Sequence, residues 1–273
     1  MMQCFKYCFL LMFFVAQILI FWNINILDRT SNVFKQDMVP VTRIIRELIL
    51  QRNALCSRLN NAMRDIGQLQ CEKTNDTTDA QGGWCKVASR ENGGEHDTDK
   101  PLIQVLSKFL KNKTVGSFGD GPGAYKREIL KLGHVTIYEA YDGAPYCEET
   151  SEGRVKFLDL TIPQFDIPLY DWIISLEVAE HIPSHYESIF LDNIFRHAKE
   201  GIILSWALPE QRALMHINNR PLNYVINVMV KNGFIIDEES SKLLQESASF
   251  SWLKRNLYVY RKKDKISTIF LFL

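Results

Sequence analysis

The stretch Val115-Gly116-Ser117-Phe118-Gly119-Asp120-Gly121-Pro122-Gly123 restricts this chain more than any other. A short apolar run meets glycines at 119, 121 and 123. Lacking a Cβ, glycine tolerates positive φ and lets the backbone approach bound atoms closely. A strand that ends in such a turn is how a nucleotide-type cofactor is seated on a sheet edge. The neighbouring sequence agrees. Helical spacing over 102–110 precedes a strand at 113–118, a helix follows at 124–132, and Gly133 stops it. Further strands are predicted at 135–141, 155–158, 172–176 and 201–206. Such alternation of strand and helix predicts a doubly wound, largely parallel α/β sheet. A helix over 222–231 ends at Asn232-Gly233, the stop expected there. Strands at 234–236 and 256–260 close the pattern.

An acid about 20 residues beyond the first glycine is where an open α/β sheet binds ribose hydroxyls. Glu139 and Asp142 both meet this spacing, and a carboxylate can accept from two hydroxyls at once. Residues 114–262 resemble the class I S-adenosylmethionine-dependent methyltransferases. Residues 115–123 stand where that family has its strand and G-x-G-x-G turn. The family's common acid two residues before the first glycine is absent: Ser117 stands there, and Asp120 lies inside the turn. Asp159, in Phe157-Leu158-Asp159-Leu160, matches the acid that meets the adenine amino group. Residues 171–183, DWIISLEVAEHIP, resemble the block at the family's fourth strand and are the more specific match. The resemblance implies a seven-stranded Rossmann-like sheet with an antiparallel final hairpin, and S-adenosyl-L-methionine as cofactor. The residues it places around that cofactor are Gly119, Asp120, Gly121, Gly123, Glu139, Asp142, Asp159, Leu176 and Glu177. A dinucleotide-binding Rossmann oxidoreductase shares the glycine turn but does not explain the fourth-strand block.

Methyl transfer from a sulfonium needs mainly positioning and exclusion of water. A general base matters when the acceptor is a poor nucleophile, and His181 is the candidate, because imidazole titrates near neutrality. Glu177 is grouped with it as a catalytic candidate, and the alternative for His181 is an orienting role. Trp206, His216 and Asn218 lie at or after the fifth strand, where substrate loops of this fold lie. The alternatives are that Trp206 fills the core and that the other two are polar side chains on the surface beside a helix. Glu177, His181 and His185 are four apart, but Pro183 disturbs the helix that would align them, so no metal site is expected there.

The remainder of the chain reads as an address and a stem. Residues 9–27 are apolar and nearly uncharged, about the length a helix needs to cross a bilayer. No small-residue cleavage site follows, so an uncleaved signal anchor is expected after a tail at 1–8. Residues 28–100 form the stem. Within 41–69 the apolar positions 41, 45, 48, 55, 59, 62, 66 and 69 follow a heptad interrupted at Arg52. This predicts either a self-associating coiled coil, hence a homodimer, or an amphipathic helix on the catalytic domain. Residues 72–100 are polar and turn-rich and read as a linker, with Gly82-Gly83-Trp84-Cys85 an apolar landmark expected to dock.

Two sequons, Asn75-Asp76-Thr77 and Asn112-Lys113-Thr114, favour a luminal domain. The cysteines leave two options, a Cys71–Cys85 disulfide in an oxidising lumen or free thiols in a cytosolic domain. Lys and Arg total 32, as do Asp and Glu, so no global field recruits nucleic acid. With 46% hydrophobic residues the chain can build a real core.

The expectation is a membrane-anchored type II protein of the Golgi or endoplasmic reticulum. Its methyltransferase domain occupies 101–263, it acts on an unidentified secretory-pathway acceptor, and a short apolar tail at 264–273 follows. A non-catalytic binding protein on the same fold is the rival.

Overall fold

The computed structural model describes residues 41–263. The predicted anchor at 9–27 and the tail at 264–273 therefore lie outside the described residues. Among those described, no helix is long and apolar enough to cross a membrane. The chain divides into two compact units, Met1–Ala54 and Leu55–Leu273. Of the first, residues 41–54 are described: they are helical and almost wholly exposed.

The second unit begins within the same helix, α1 (residues 41–74). Its sheet has seven strands: β1 (Thr114–Phe118), β2 (Ile137–Asp142), β3 (Val155–Phe157), β4 (Tyr170–Leu176), β5 (Ala198–Ser205), β6 (Phe234–Ile236) and β7 (Leu257–Lys262). Their order is β3-β2-β1-β4-β5-β7-β6. The first five are parallel, and β7 runs antiparallel to both β5 and β6. The central strands are apolar on both faces, as a sheet covered by helices on each side demands. In β4, Trp172, Ile173 and Ile174 are all buried.

The helices are α2 (Lys100–Phe109), α3 (Ala124–Leu132), α4 (Cys147–Thr150), α5 (Glu187–His197), α6 (Leu222–Lys231), α7 (Glu238–Ser247) and α8 (Leu253–Asn256). Asp99 caps α2 by accepting from the Leu102 amide at 3.1 Å. Its other oxygen accepts from the amides of Ser249 and Phe250, which ties the start of α2 to the loop after α7. Gly133 ends α3 in the left-handed conformation, as predicted.

The heptad seam of α1 is not the face that meets the domain. In the second unit the contacts come from Asn60, Arg64, Gly67 and Gln68. Asn60 donates to the Phe157 carbonyl at 3.0 Å, Arg64 pairs with Glu148 at 3.1 Å, and Gln68 donates to the Pro145 carbonyl at 2.9 Å. Leu55, Leu59, Ile66 and Leu69 of the seam are exposed.

The segment 75–99, expected to be a linker, is instead folded against the domain. A disulfide joins Cys71 to Cys85, and Thr78 and Trp84 form an antiparallel bridge. Asp79 accepts from the amides of Gln81 and Gly83, a turn built by the side chain. A Cβ at Gly82 would lie 2.2 Å from the His181 carbonyl oxygen, and one at Gly83 would lie 2.4 Å from that of Gly143. Only glycines let this segment come so close, which is why the Gly-Gly-Trp-Cys landmark docks where it does.

Candidate active site

A cavity of about 450 Å³ opens at the carboxyl ends of β1, β2 and β4. Ligands of open α/β sheets bind there, because the loops leaving the strands diverge and expose backbone groups. The turn after β1 forms its floor. Gly119, Gly121 and Gly123 have φ of 90, 59 and 82°, which a side chain would make costly. A Cβ at Gly119 would also meet Val178 at 2.2 Å, and one at Gly121 would meet His96 at 2.6 Å.

Asp120 lines the cavity yet is buried. One carboxylate oxygen accepts from Ser117 Oγ at 2.6 Å and from Tyr138 Oη at 2.9 Å. The residue inside the turn thus carries a carboxylate back to the strand position where the resemblance expects an acid. Burial pushes its carboxyl up to about 6, opposed by the hydrogen bonds from Ser117 and Tyr138.

Asp142, at the end of β2, accepts from the Gly121 amide at 2.8 Å and from the Ala144 amide at 2.8 Å. Each of its oxygens keeps acceptor capacity. Burial raises its carboxyl, and the nearby His96 works against that rise. Glu139 sits elsewhere: it pairs with Lys156 at 2.9 Å and is not in the cavity wall. The alternation of side chains along a strand explains the difference, since 139 and 142 point to opposite faces. Asp159 lines the cavity and accepts from the amide and hydroxyl of Thr161. Its own amide donates to Asn60 of α1 at 2.9 Å.

Leu176 and Glu177 follow from β4 into the wall. Glu177 has φ +55°, and its carboxylate accepts from Asn256 Nδ2 at 2.8 Å and from Gln211 Nε2. His181 also lines the cavity. Its Nδ1 donates to the Met215 carbonyl at 3.1 Å, so Nε2 carries the lone pair. Burial, followed by the neighbouring His216, lowers its pKa to about 4. It is therefore neutral at physiological pH but holds a proton poorly there.

His216 lines the same cavity, its Nδ1 donating to the Gln211 carbonyl at 2.9 Å. Trp206 and Asn218 do not. Trp206 is 2% exposed and packs on Phe190 in the core, its Nε1 donating to the Asn218 carbonyl at 2.7 Å. Asn218 turns toward α5, donating to the buried Glu187 carboxylate that also takes Arg220. His185 lies in a 3-10 turn, Ser184–Tyr186, exposed and tilted against the Tyr186 ring, and does not line the cavity with Glu177 and His181.

Sequence reading did not find Trp84 or His96 as parts of this wall. Both come from the turn-rich segment that follows α1. The Trp84 ring packs edge-on against His181 at 5.3 Å and His96 at 6.2 Å between centroids. The only signal in the sequence was the glycine pair before Trp84.

The seven-stranded sheet with an antiparallel final pair is the one the resemblance implies. Its strand order is that of the class I S-adenosylmethionine-dependent methyltransferase fold. Solved structures similar to this chain include the magnesium protoporphyrin IX methyltransferase of Synechocystis PCC 6803 with bound SAH. It is 14% identical at TM-score 0.44, over 59% of this chain and 82% of that one. Another is the O-methyltransferase from the trans-AT PKS multienzyme of Brevibacillus brevis, in complex with S-adenosyl-L-homocysteine. It is 17% identical at TM-score 0.44, over 60% of this chain and 71% of that one. No family model matches the chain, and neither does any curated protein.

Proposed function

We propose that the chain is an S-adenosylmethionine-dependent methyltransferase acting on a secretory-pathway acceptor. The observation that carries this is one cavity holding the glycine turn and two acids, Asp142 and Asp159, each with acceptor capacity left over. S-adenosylmethionine supplies a methyl group already activated on a sulfonium. The protein's part is to bind, orient and keep water out. On this reading Asp142 takes the ribose hydroxyls, Asp159 the adenine amino group, and the backbone of 119–121 the methionine end. Residues 81–84 and 95–98 line the cavity and narrow its opening to solvent. His181 is neutral and offers an Nε2 lone pair in the cavity wall, and it does not hold the acceptor's proton through the reaction.

Calorimetric titration of the full-length protein with S-adenosylmethionine tests the reading, with saturable binding near one equivalent expected. Gly121→Val should abolish it in a folded protein. A folded wild-type chain that binds no S-adenosylmethionine would sink the proposal.

Location and assembly belong to the same proposal. Both sequon asparagines, Asn75 and Asn112, are exposed in left-handed turns, and the Cys71–Cys85 disulfide suits an oxidising lumen. A glycosidase-sensitive mass shift of the cell-expressed protein tests luminal placement, and its absence argues against it.

A further inference from the structure

We propose that Glu180, His181 and His216 bind a divalent transition-metal ion in the wall of the cavity, with coordination positions open toward its interior. One carboxylate oxygen and two imidazole nitrogens lie within 4.8 Å of one another. The His216 Nε2 stands 4.0 Å from Glu180 Oε1. Ligands about 2.1 Å from a common ion stand about 3–4 Å apart, so the three close by roughly an ångström to grip one.

Three independent features point to an ion rather than to packing. The first is tautomer. Both histidines donate Nδ1–H to main-chain carbonyls, of Met215 and Gln211, which leaves each Nε2 with a lone pair to give, that of His216 standing toward Glu180. Metal-binding histidines are oriented by this kind of outer hydrogen bond. The second is the carboxylate. Glu180 has no exposed surface, and neither of its oxygens has a well-formed hydrogen-bond partner, only its own amide and that of Ala207 lying near enough to favour the charged form. A buried carboxylate in that state is costly unless something positive meets it, and the nearby Glu177 adds repulsion. The third is backbone. The amides of Ile217 and Asn218 both donate to the Glu180 carbonyl, at 3.0 and 2.9 Å, and clamp the loop carrying His216 onto the turn carrying the other two. Met215, beside His216, is held at φ +58° and Glu177 at φ +55°. Non-glycine residues so strained gather at functional sites.

Two imidazoles with one carboxylate suit manganese, iron, cobalt or zinc better than magnesium or calcium. Three protein ligands leave room for a water or a substrate atom. Because His181 and His216 line the cavity, that atom comes from its contents. If the methyltransferase reading holds, the acceptor is of the hydroxyl class: its oxygen ligates the ion and releases its proton to solvent water, since a bound ion lowers the pKa of such a group.

The test is a titration of full-length protein, stripped by chelator, with Co²⁺ alone, followed by visible absorption and by competition with Zn²⁺. One saturable equivalent is expected, with bands of nitrogen and oxygen ligation. Glu180→Gln and His216→Gln should each weaken binding at least about tenfold. Absence of saturable Co²⁺ binding by the folded wild type overturns the proposal, as does undiminished binding in both variants. Should either variant fail to fold by circular dichroism, a wild-type spectrum without nitrogen ligation overturns it equally. S-adenosylmethionine is titrated separately into the same preparation, so loss of the ion and loss of the methyl-donor reading are told apart.

Discussion

At the scale of single residues, the cavity separates two acids that spacing alone treats as equals. Asp142 faces the glycine turn while Glu139 pairs with Lys156 on the opposite side. Asp142→Ala should weaken S-adenosylmethionine binding about 10- to 100-fold, the value of a charge-assisted hydrogen bond, whereas Glu139→Gln should change it less than about twofold. Calorimetry on the two variants checks this, and equal losses would contradict the assignment. Asp120 makes a prediction about stability. Its folded pKa lies up at about 6, against the ordinary carboxylate range in the unfolded chain. Between those values the folded state keeps a proton that the unfolded state has lost, so this residue's contribution falls as pH rises from about 4 to about 6. Relative to wild type, Asp120→Asn should therefore gain stability between pH 4.5 and 7.5, by roughly 2 kcal/mol. Urea unfolding at the two pH values measures it, and a pH-independent difference would refute it.

At the scale of elements, two pieces outside the sheet shape the site. The segment 75–99 is pinned by the Cys71–Cys85 disulfide, whose partners are 14 residues apart. Replacing both cysteines by serine should cost about 2–4 kcal/mol and expose 75–99 to limited proteolysis before the sheet is cut. Cleavage beginning elsewhere would show that the disulfide does not hold the cover. Helix α1 acts at longer range. Asn60 accepts from the Asp159 amide and from Gln164 Nε2, so a residue with no place in the cavity wall holds the acid that enters it. Asn60→Ala should reduce S-adenosylmethionine affinity about three- to tenfold, in line with one or two lost neutral hydrogen bonds. An unchanged affinity would mean that Asp159 is held by Thr161 alone.

At the scale of the whole molecule, α1 carries an apolar seam that none of the described residues of the second unit covers. Leu55, Leu59, Ile66 and Leu69 are 62, 45, 44 and 65% exposed at heptad spacing, and Val41, Ile45 and Leu48 are exposed as well. A row of this kind is a coiled-coil interface in waiting, so we propose that a second copy covers it. The full-length protein in detergent should sediment as a dimer at micromolar concentration, and Leu55→Gln with Leu59→Gln should yield monomers. A wild-type monomer across that range would dismiss the dimer. The ion site belongs to this scale too, because its ligands converge only when the turn after β4 meets the loop after β5.

Sequence by itself determined the seven strands in chain order and the helices at 102–110, 124–132 and 222–231, because apolar periodicity and glycine stops act locally, while α5 and α7 emerge only in the structure. It determined the glycine turn, with its need for positive φ, and the Asp159 and Glu177 positions that follow directly from strand ends. Tertiary structure alone decided which acid faces the turn, that Trp206 and Asn218 serve the core, and that 75–99 is a cover. Pro183 separated His185 from His181, as local reasoning expects. The partner that His181 does meet, His216, is joined to it by the Glu180 carbonyl and two amides from a distant loop. Spacing along a chain cannot register contacts of that kind, since they depend on how far each loop reaches once the sheet beneath it has formed.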